Sequence, residues 1–295
     1  MSKVGMVILN YNDYETTKKY IDKIQKFKVL NNIVIVDNKS SDGSFEKLSK
    51  LQNNKIKVIE TEKNKGYAYG NNVGINYLNE HSVVDYIIIS NPDIIVEEKD
   101  IEKLKKDLDT NDDIALVAPV VKQLNEEIKG WRLPTIKDEI LQNINYYQRI
   151  AKKNLNYKEE KYNNTLTKVD VVSGCFFMIR KDIMNMIGNF DEATFLYYEE
   201  NILAVKLKNI EKKTYIDNST KIVHDLSVSV DKSFNSINKY KMLKESQKYF
   251  AKYYLKTNIF GMIILRLTYY VSLGISYIVC FFRKIRSKKQ WKILL

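Results

Sequence analysis

Asp85-Tyr86-Ile87-Ile88-Ile89-Ser90-Asn91-Pro92-Asp93-Ile94 is the stretch whose reading decides the fold. Its apolar run, Tyr86 to Ile89, is too short for a core helix and reads as a strand buried in a parallel sheet. Pro92 cannot donate to a central ladder, so the chain turns at Asn91. That turn sets Asn91 and Asp93 at the carboxyl end of a strand, the edge where open α/β sheets bind ligands. A carboxylate there, beside an amide oxygen, suits a hard divalent cation holding a diphosphate. Asn, Pro and Asp also favour turns for their own sake, so the neighbouring segments carry the decision.

Those segments repeat the pattern. Val4 to Leu9, Asn32 to Asp37, Ile56 to Glu60 and Ile114 to Val121 are further short apolar runs. Between them, Tyr14 to Phe27, Ser44 to Leu51, Gly70 to Leu78 and Glu97 to Leu108 carry helical spacing or helix starts. The alternation predicts a parallel, doubly wound sheet with all its polar loops on one edge. On that edge Asp37 can accept from a nucleobase or ribose, or simply cap a turn. Lys65-Gly66-Tyr67-Ala68-Tyr69-Gly70 can let backbone approach a phosphate, with Lys65 as a point charge, or be loop punctuation.

Composition narrows the class. The chain has 295 residues and 44% hydrophobic content, enough for one large domain with an appendage. Its two cysteines, Cys175 and Cys280, form no framework or CxxC site, which fits a reducing compartment. The N-terminus enters a strand with no signal-peptide pattern. The net charge of +12 is uneven. Residues 232–295 hold fourteen Lys or Arg against one acid, Glu245, a net +13, so residues 1–231 carry −1. Basic charge beside an apolar tail points to a membrane surface and away from a nucleic-acid partner.

Taken in order, Val7-Ile8-Leu9-Asn10-Tyr11-Asn12, Val36-Asp37-Asn38 with Ser41-Asp42-Gly43-Ser44, Asn64 to Asn72, and Asn91-Pro92-Asp93 resemble the successive motifs of glycosyltransferase family 2. The bacterial rhamnosyltransferase-type branch is the most similar part of that family. The resemblance continues through Val172 to Arg180 and Gly188-Asn189-Phe190-Asp191-Glu192 and ends near His224. It implies a GT-A fold: a Rossmann-like, mostly parallel sheet flanked by helices. It implies a nucleoside diphosphate sugar (UDP- or dTDP-linked), a glycan or lipid-linked acceptor, Mg²⁺ or Mn²⁺, and inversion at the anomeric carbon. It places Asn10, Tyr11, Asn12, Asp37, Asn38, Lys65, Gly66, Gly70, Asn71 and Asn91 at the nucleotide sugar, and Asp93 with His224 at the metal. Trp131, Ser173, Gly174 and Asp191 fall to the acceptor, although Trp131 equally suits core packing. On this reading 1–231 is the transferase domain, with a nucleotide-binding half to about 121 and an acceptor-binding half from about 122.

Sugar transfer needs a base for the acceptor hydroxyl. Glu199-Glu200 precede Leu203, Leu207 and Ile210, so both acids open a helix, where the dipole would favour them in any case. The resemblance makes Glu200 the base, with Glu199 structural or acceptor-binding. The chain departs from the family at Ile202, where an acid is common, and at Lys206, where Arg is common. That departure keeps open a rival: a non-catalytic nucleotide-binding subunit of a membrane glycan-assembly complex. His81 has no partner motif and no assigned role. Asp138 to Asn164 reads as one helix and a solvated excursion, an acceptor-side lid.

The tail, 232–295, is a helical appendage. Its uninterrupted apolar part, Leu267 to Phe282, spans 16 residues, about 24 Å as a helix against a hydrocarbon core of about 30 Å. Thr268, Ser272 and Ser276 form a small-residue stripe suited to a neighbouring helix. With Arg283 to Lys289 and Trp291 following, residues 257–295 fit peripheral or monotopic attachment at the cytoplasmic face of the plasma membrane. A homodimer is compatible with all of this.

Overall fold

The computed structural model describes residues 2–124, 126–144, 154–225 and 236–293. The chain divides into two compact units: Met1–Leu133 with Asn156–Phe234, and Pro134–Leu155 with Asn235–Leu295. The segment 134–155 therefore groups with the C-terminal helices, an association that periodicity along the chain cannot reveal.

The first unit is built on a ten-stranded sheet. Its elements run β1 Val4–Asn10, α1 Tyr14–Ile24, β2 Leu30–Asp37, α2 Ser44–Leu48, β3 Ile56–Glu60, α3 Tyr67–His81, β4 Tyr86–Ser90, β5 Ile94–Ile95 and α4 Glu98–Thr110. Strands β6 Ile114–Gln123, β7 Glu126–Ile128, β8 Leu166–Val169 and β9 Phe176–Arg180 follow, with α6 Lys181–Met186, α7 Glu199–Asn209 and β10 Lys213–His224. The strand order is β3-β2-β1-β4-β9-β6-β10-β5, with β7 on β6 and β8 on β10. Strands β3, β2, β1 and β4 are mutually parallel, as are β6 and β10. β9 runs antiparallel between β4 and β6, so the sheet is mixed and not wholly parallel.

Side-chain alternation explains the layering. Met6, Ile8, Ile33, Ile35 and Ile88 face Tyr20, Ile21 and Ile24 of α1 and Ile101, Leu104 and Leu108 of α4. Val7, Val34, Val36, Ile87 and Ile89 face Ile75 and Leu78 of α3 and Leu203 and Leu207 of α7. Helix α3 begins at Tyr67, a full turn before its expected start. Its glycines serve that contact: a Cβ on Gly70 would lie 2.2 Å from Leu9 and one on Gly74 2.4 Å from Val7, so their absence lets the helix sit on β1.

The second unit contains α5 Ile136–Gln142, α8 Ser236–Tyr253 and α9 Ile259–Ile293. The expected lid over 138–164 is in part α5, with Glu159–Asn163 a 3-10 turn of the first unit; residues 145–153 lie outside the described residues. Leu265, Tyr269 and Ser272 form the buried stripe of α9. Tyr240 of α8 donates to Ser272 at 2.6 Å and Asn143 to Thr268 at 3.1 Å, so the small-residue stripe does pack on neighbouring helices. Phe260, Ile263, Leu267, Tyr270, Val271 and Ile278 are exposed on the same helix. Helix α9 starts ahead of Arg266, and its part Ile259–Ile278, 20 residues, is long and apolar enough to cross a membrane by length and composition alone.

Candidate active site

Within the first unit a cavity of about 300 Å³ opens at the carboxyl ends of the parallel strands. Leu9, Tyr11 and Asp13 line it at and beyond the end of β1, Asn38 after β2, Asn64, Gly66 and Tyr67 at the head of α3, and Asn91 and Pro92 after β4. Ser173, Gly174 and Cys175 come from the approach to β9, Phe195, Leu196, Tyr197, Glu199 and Glu200 from the head of α7, and His224 from the end of β10.

The Asn91-Pro92-Asp93 turn is held from two sides. The Asn91 N–H donates to the Cys175 carbonyl at 2.8 Å, and Asp225 N–H donates to the Asp93 carbonyl at 2.9 Å. β5 then pairs antiparallel with the last residues of β10, His224 opposite Ile94. This brings His224 Nε2 to 3.1 Å from Asp93 Oδ1 and Nδ1 to 3.3 Å from Gln123 Oε1. Burial alone would depress the imidazole, but hydrogen bonds to Asp93 and Cys175 outweigh it and lift its pKa to about 10. Carboxylate oxygen and imidazole nitrogen suit Mn²⁺ or Mg²⁺. Among the described residues no group of three or more His, Cys, Asp or Glu side chains forms a metal cage. Two protein donors of this kind fit a divalent cation, and Asp93 with His224 would hold it where its charge could stabilise a diphosphate.

The acid pair sits on strained backbone. Tyr197 and Tyr198 both adopt left-handed φ, 76° and 73°, unusual for consecutive bulky residues and a recurrent feature of functional sites. Tyr198 caps α7, its carbonyl accepting from Ile202 N–H at 2.9 Å. Glu199 is buried, whereas Glu200 is partly open. Burial raises both carboxyl pKa values, and the Glu200 charge raises Glu199 further. Glu200 lies on Gly174, where a Cβ would come within 2.9 Å of its Cγ and Oε1. Backbone hydrogen bonding from Gly174 favours its charged form. A partly desolvated carboxylate with a raised pKa is a competent base near neutral pH.

Several expected contacts belong instead to the scaffold beneath the rim. Asp37 is fully buried and accepts from Asn10 Nδ2 at 2.7 Å and from Ser40 N and Oγ at 2.8 Å. Asn10 also accepts from Thr17 at 2.7 Å. Asn12 has left-handed φ and braces Ser40 and Ser41. Gly70 and Asn71 are buried within α3, and Lys65 lies over the Tyr69 ring. Trp131 bridges Val171 and donates to Asn201 at 3.3 Å, while Asp191 accepts from Ala193 N–H. None of these eight lines the cavity. Tyr11, Asn38, Gly66, Asn91, Ser173, Gly174, Glu199, Glu200 and His224 do, and Asp93 stands behind His224. Ile202 is core, and Lys206 donates to the Asn189 carbonyl at 2.7 Å. Sequence reasoning gave no cavity role to Asp13, Asn64, Gln123 or the Phe195–Tyr197 loop. Asn64 carried a readable signal, two residues ahead of a helix-capping glycine; the others are set by tertiary contacts.

The profile of glycosyl transferase family 2 matches residues 6–188. The chain belongs to glycosyl transferase family 2. Low-salt glycan biosynthesis hexosyltransferase Agl10 of Haloferax volcanii is 27% identical over 201 residues, covering 68% of this chain and 60% of that protein. Rhamnosyltransferase WbbL of Escherichia coli K12 is 26% identical over 149 residues, covering 48% of this chain and 54% of that protein. The chain thus spans less than two thirds of the length of either relative. Among solved structures, GalNAc-T7 with UDP, GalNAc and Mn²⁺ superposes with a TM-score of 0.62 at 17% identity, covering 78% of this chain and 45% of that one. Mannosyltransferase PcManGT of Pyrobaculum calidifontis, in complex with GDP-Man and Mn²⁺, gives 0.57 at 14% identity, covering 91% and 69%. These likenesses establish the GT-A fold. The family match ends before Glu199, Glu200 and His224, so those three stand on geometry.

Proposed function

We propose that this family 2 chain is an inverting hexosyltransferase that moves a sugar, rhamnose or another hexose, from a nucleoside diphosphate to a glycan or lipid-linked acceptor in cell-surface polysaccharide synthesis. One observation carries the reading: a single cavity is lined by the Glu199–Glu200 pair at one wall and by His224, backed by Asp93, at another. The neighbours' bound UDP and GDP-Man with Mn²⁺ and the relatives' hexosyl and rhamnosyl transfer support it.

Glu200 takes the proton of the acceptor hydroxyl as its oxygen forms the new bond to the anomeric carbon. The bond from that carbon to the diphosphate oxygen breaks on the opposite face, and the configuration inverts. Asp93 and His224 would hold Mg²⁺ or Mn²⁺, whose charge stabilises the departing diphosphate. Asn38 donates to Asn64 and to the Gly66 carbonyl, both at 3.0 Å, and so shapes the wall for the nucleoside and its phosphates. Glu200→Gln should lower transfer by about 10²–10⁴-fold while the thermal shift with UDP-, dTDP- or GDP-sugars and Mn²⁺ persists. Unchanged turnover contradicts the assignment.

The exposed apolar face of α9 and the +13 charge of 232–295 support attachment to an anionic membrane surface on the cytoplasmic side, close to a lipid-linked acceptor.

A further inference from the structure

A Cβ at Gly174 would lie 2.9 Å from Cγ and Oε1 of Glu200, so any larger residue would displace that carboxyl. Glycine, however, is the residue least able to hold its own N–H in one direction. The Glu200 carboxyl rests against this glycine, so a base kept in one place needs something else to fix Gly174.

Tyr67 supplies it. Its hydroxyl donates to the Gly174 carbonyl at 2.8 Å. Its main-chain N–H donates to the Phe195 carbonyl at 2.9 Å, at the head of the loop that leads through Tyr197 and Tyr198 into Glu199. The second grip is close: at Gly66, with φ 102°, a Cβ would lie 2.0 Å from the Phe195 oxygen. Tyr67 is itself anchored, being the first residue of α3, with its carbonyl accepting from Asn71 at 3.0 Å and its ring edge-on to Phe190. Burial and the charges of Glu200 and Glu199 keep the phenol protonated, so it remains a donor.

We propose that Tyr67 is a positioning residue for transfer: it holds the loop that carries the base with its backbone and orients Gly174 against the Glu200 carboxyl with its hydroxyl. The proposal rests on the reading of Glu200 as base. Among the described residues, the titratable groups around Glu200 include Glu199 on the same turn, Asp170 at a small void behind it, and Cys175, His224 and Asp13 on the walls of the same cavity.

The full chain, labelled with ¹³C-carbonyl serine and ¹⁵N-glycine, reports on Gly174 alone, because Ser173–Gly174 is the one Ser-Gly pair in the sequence. In the wild type the Gly174 amide should follow the Glu200 titration, and in Tyr67→Phe the midpoint should rise by about half a pH unit or more. Turnover, read as Mn²⁺-dependent hydrolysis of UDP-GlcNAc, dTDP-rhamnose and GDP-mannose, should fall about tenfold or more in Tyr67→Phe with donor KM unchanged. Tyr67→Phe/Glu200→Gln should be no slower than Glu200→Gln. Should Tyr67→Phe fold poorly, p-aminophenylalanine and p-methylphenylalanine at 67, alike in shape, are compared; only the donor-bearing ring should restore midpoint and rate. Wild-type midpoint and turnover in Tyr67→Phe overturn the proposal. Full turnover in Glu200→Gln overturns the base assignment instead, and the Gly174 titration tells the two failures apart.

Discussion

Two aspartates follow parallel strands at the same sheet edge, Asp37 after β2 and Asp93 after β4, and the structure uses them oppositely. Asp37 is turned inward, where Asn10 and Ser40 give it three hydrogen bonds. Asp93 is also buried, yet it faces an imidazole that lines the cavity. An acid at a strand end can organise the loop or serve the ligand. What separates the two roles is the partner: serine and asparagine neutralise a carboxylate's acceptors locally, whereas histidine passes its influence to the cavity.

The largest effect should come from breaking Asp93, the member proposed to hold the cation. Asp93→Asn should cost about 10³-fold in transfer, about 4 kcal/mol of barrier, and abolish the Mn²⁺-dependent thermal shift. Activity within tenfold of wild type would place the cation elsewhere. The inward member should fail differently. Asp37→Ala leaves the Ser40 N–H and hydroxyl without their acceptor and the Asn10 amide with only its longer contact to Ser40 Oγ at 3.3 Å, costing about 3 kcal/mol of stability in denaturant unfolding, while folded protein keeps the Mn²⁺ shift. Loss of that shift at full stability would reverse the two roles.

A smaller effect sharpens the Asp93 side. With its pKa lifted to about 10, His224 is protonated at neutral pH, and a cation must displace that proton. Mn²⁺ affinity should therefore strengthen as pH rises from 6 to 8, by up to about tenfold per unit, with a proton released in calorimetry. A flat profile would remove His224 from the metal. The smallest effect concerns the helical unit, where Ile263, Leu267 and Val271 of α9 are exposed apolar side chains. Ile263→Lys/Leu267→Lys/Val271→Lys in the full chain should reduce flotation with neutral vesicles and leave much of the electrostatic binding to anionic ones, worth about 1 kcal/mol per basic residue. Unaltered flotation with both would assign that face to another surface.

The strands β1 to β4 and β6 were legible because each is a short apolar run ending in polar loop residues. β9 was visible as a motif, Val172 to Arg180, but nothing in its periodicity shows that it slots antiparallel between β4 and β6. Gly70 looks like loop in sequence because glycine weakens helices; its packing against Leu9 is a tertiary fact. The cavity wall from Phe195 to Tyr197 was legible only as a lead-in to Glu199, since left-handed tyrosines carry no compositional mark. Glu200, Asn91 and His224, singled out in sequence by their side-chain chemistry and the family resemblance, do line the cavity.

The pairing of β10 with β5 has a consequence for anyone recombining this family. A chimera joined at residue 188, where the family profile stops, would inherit its Asn91-Pro92-Asp93 turn from one parent and the imidazole that latches that turn from another. Crossovers placed after Asp225 would instead exchange the whole latch as a cassette, and donor preference should travel with it.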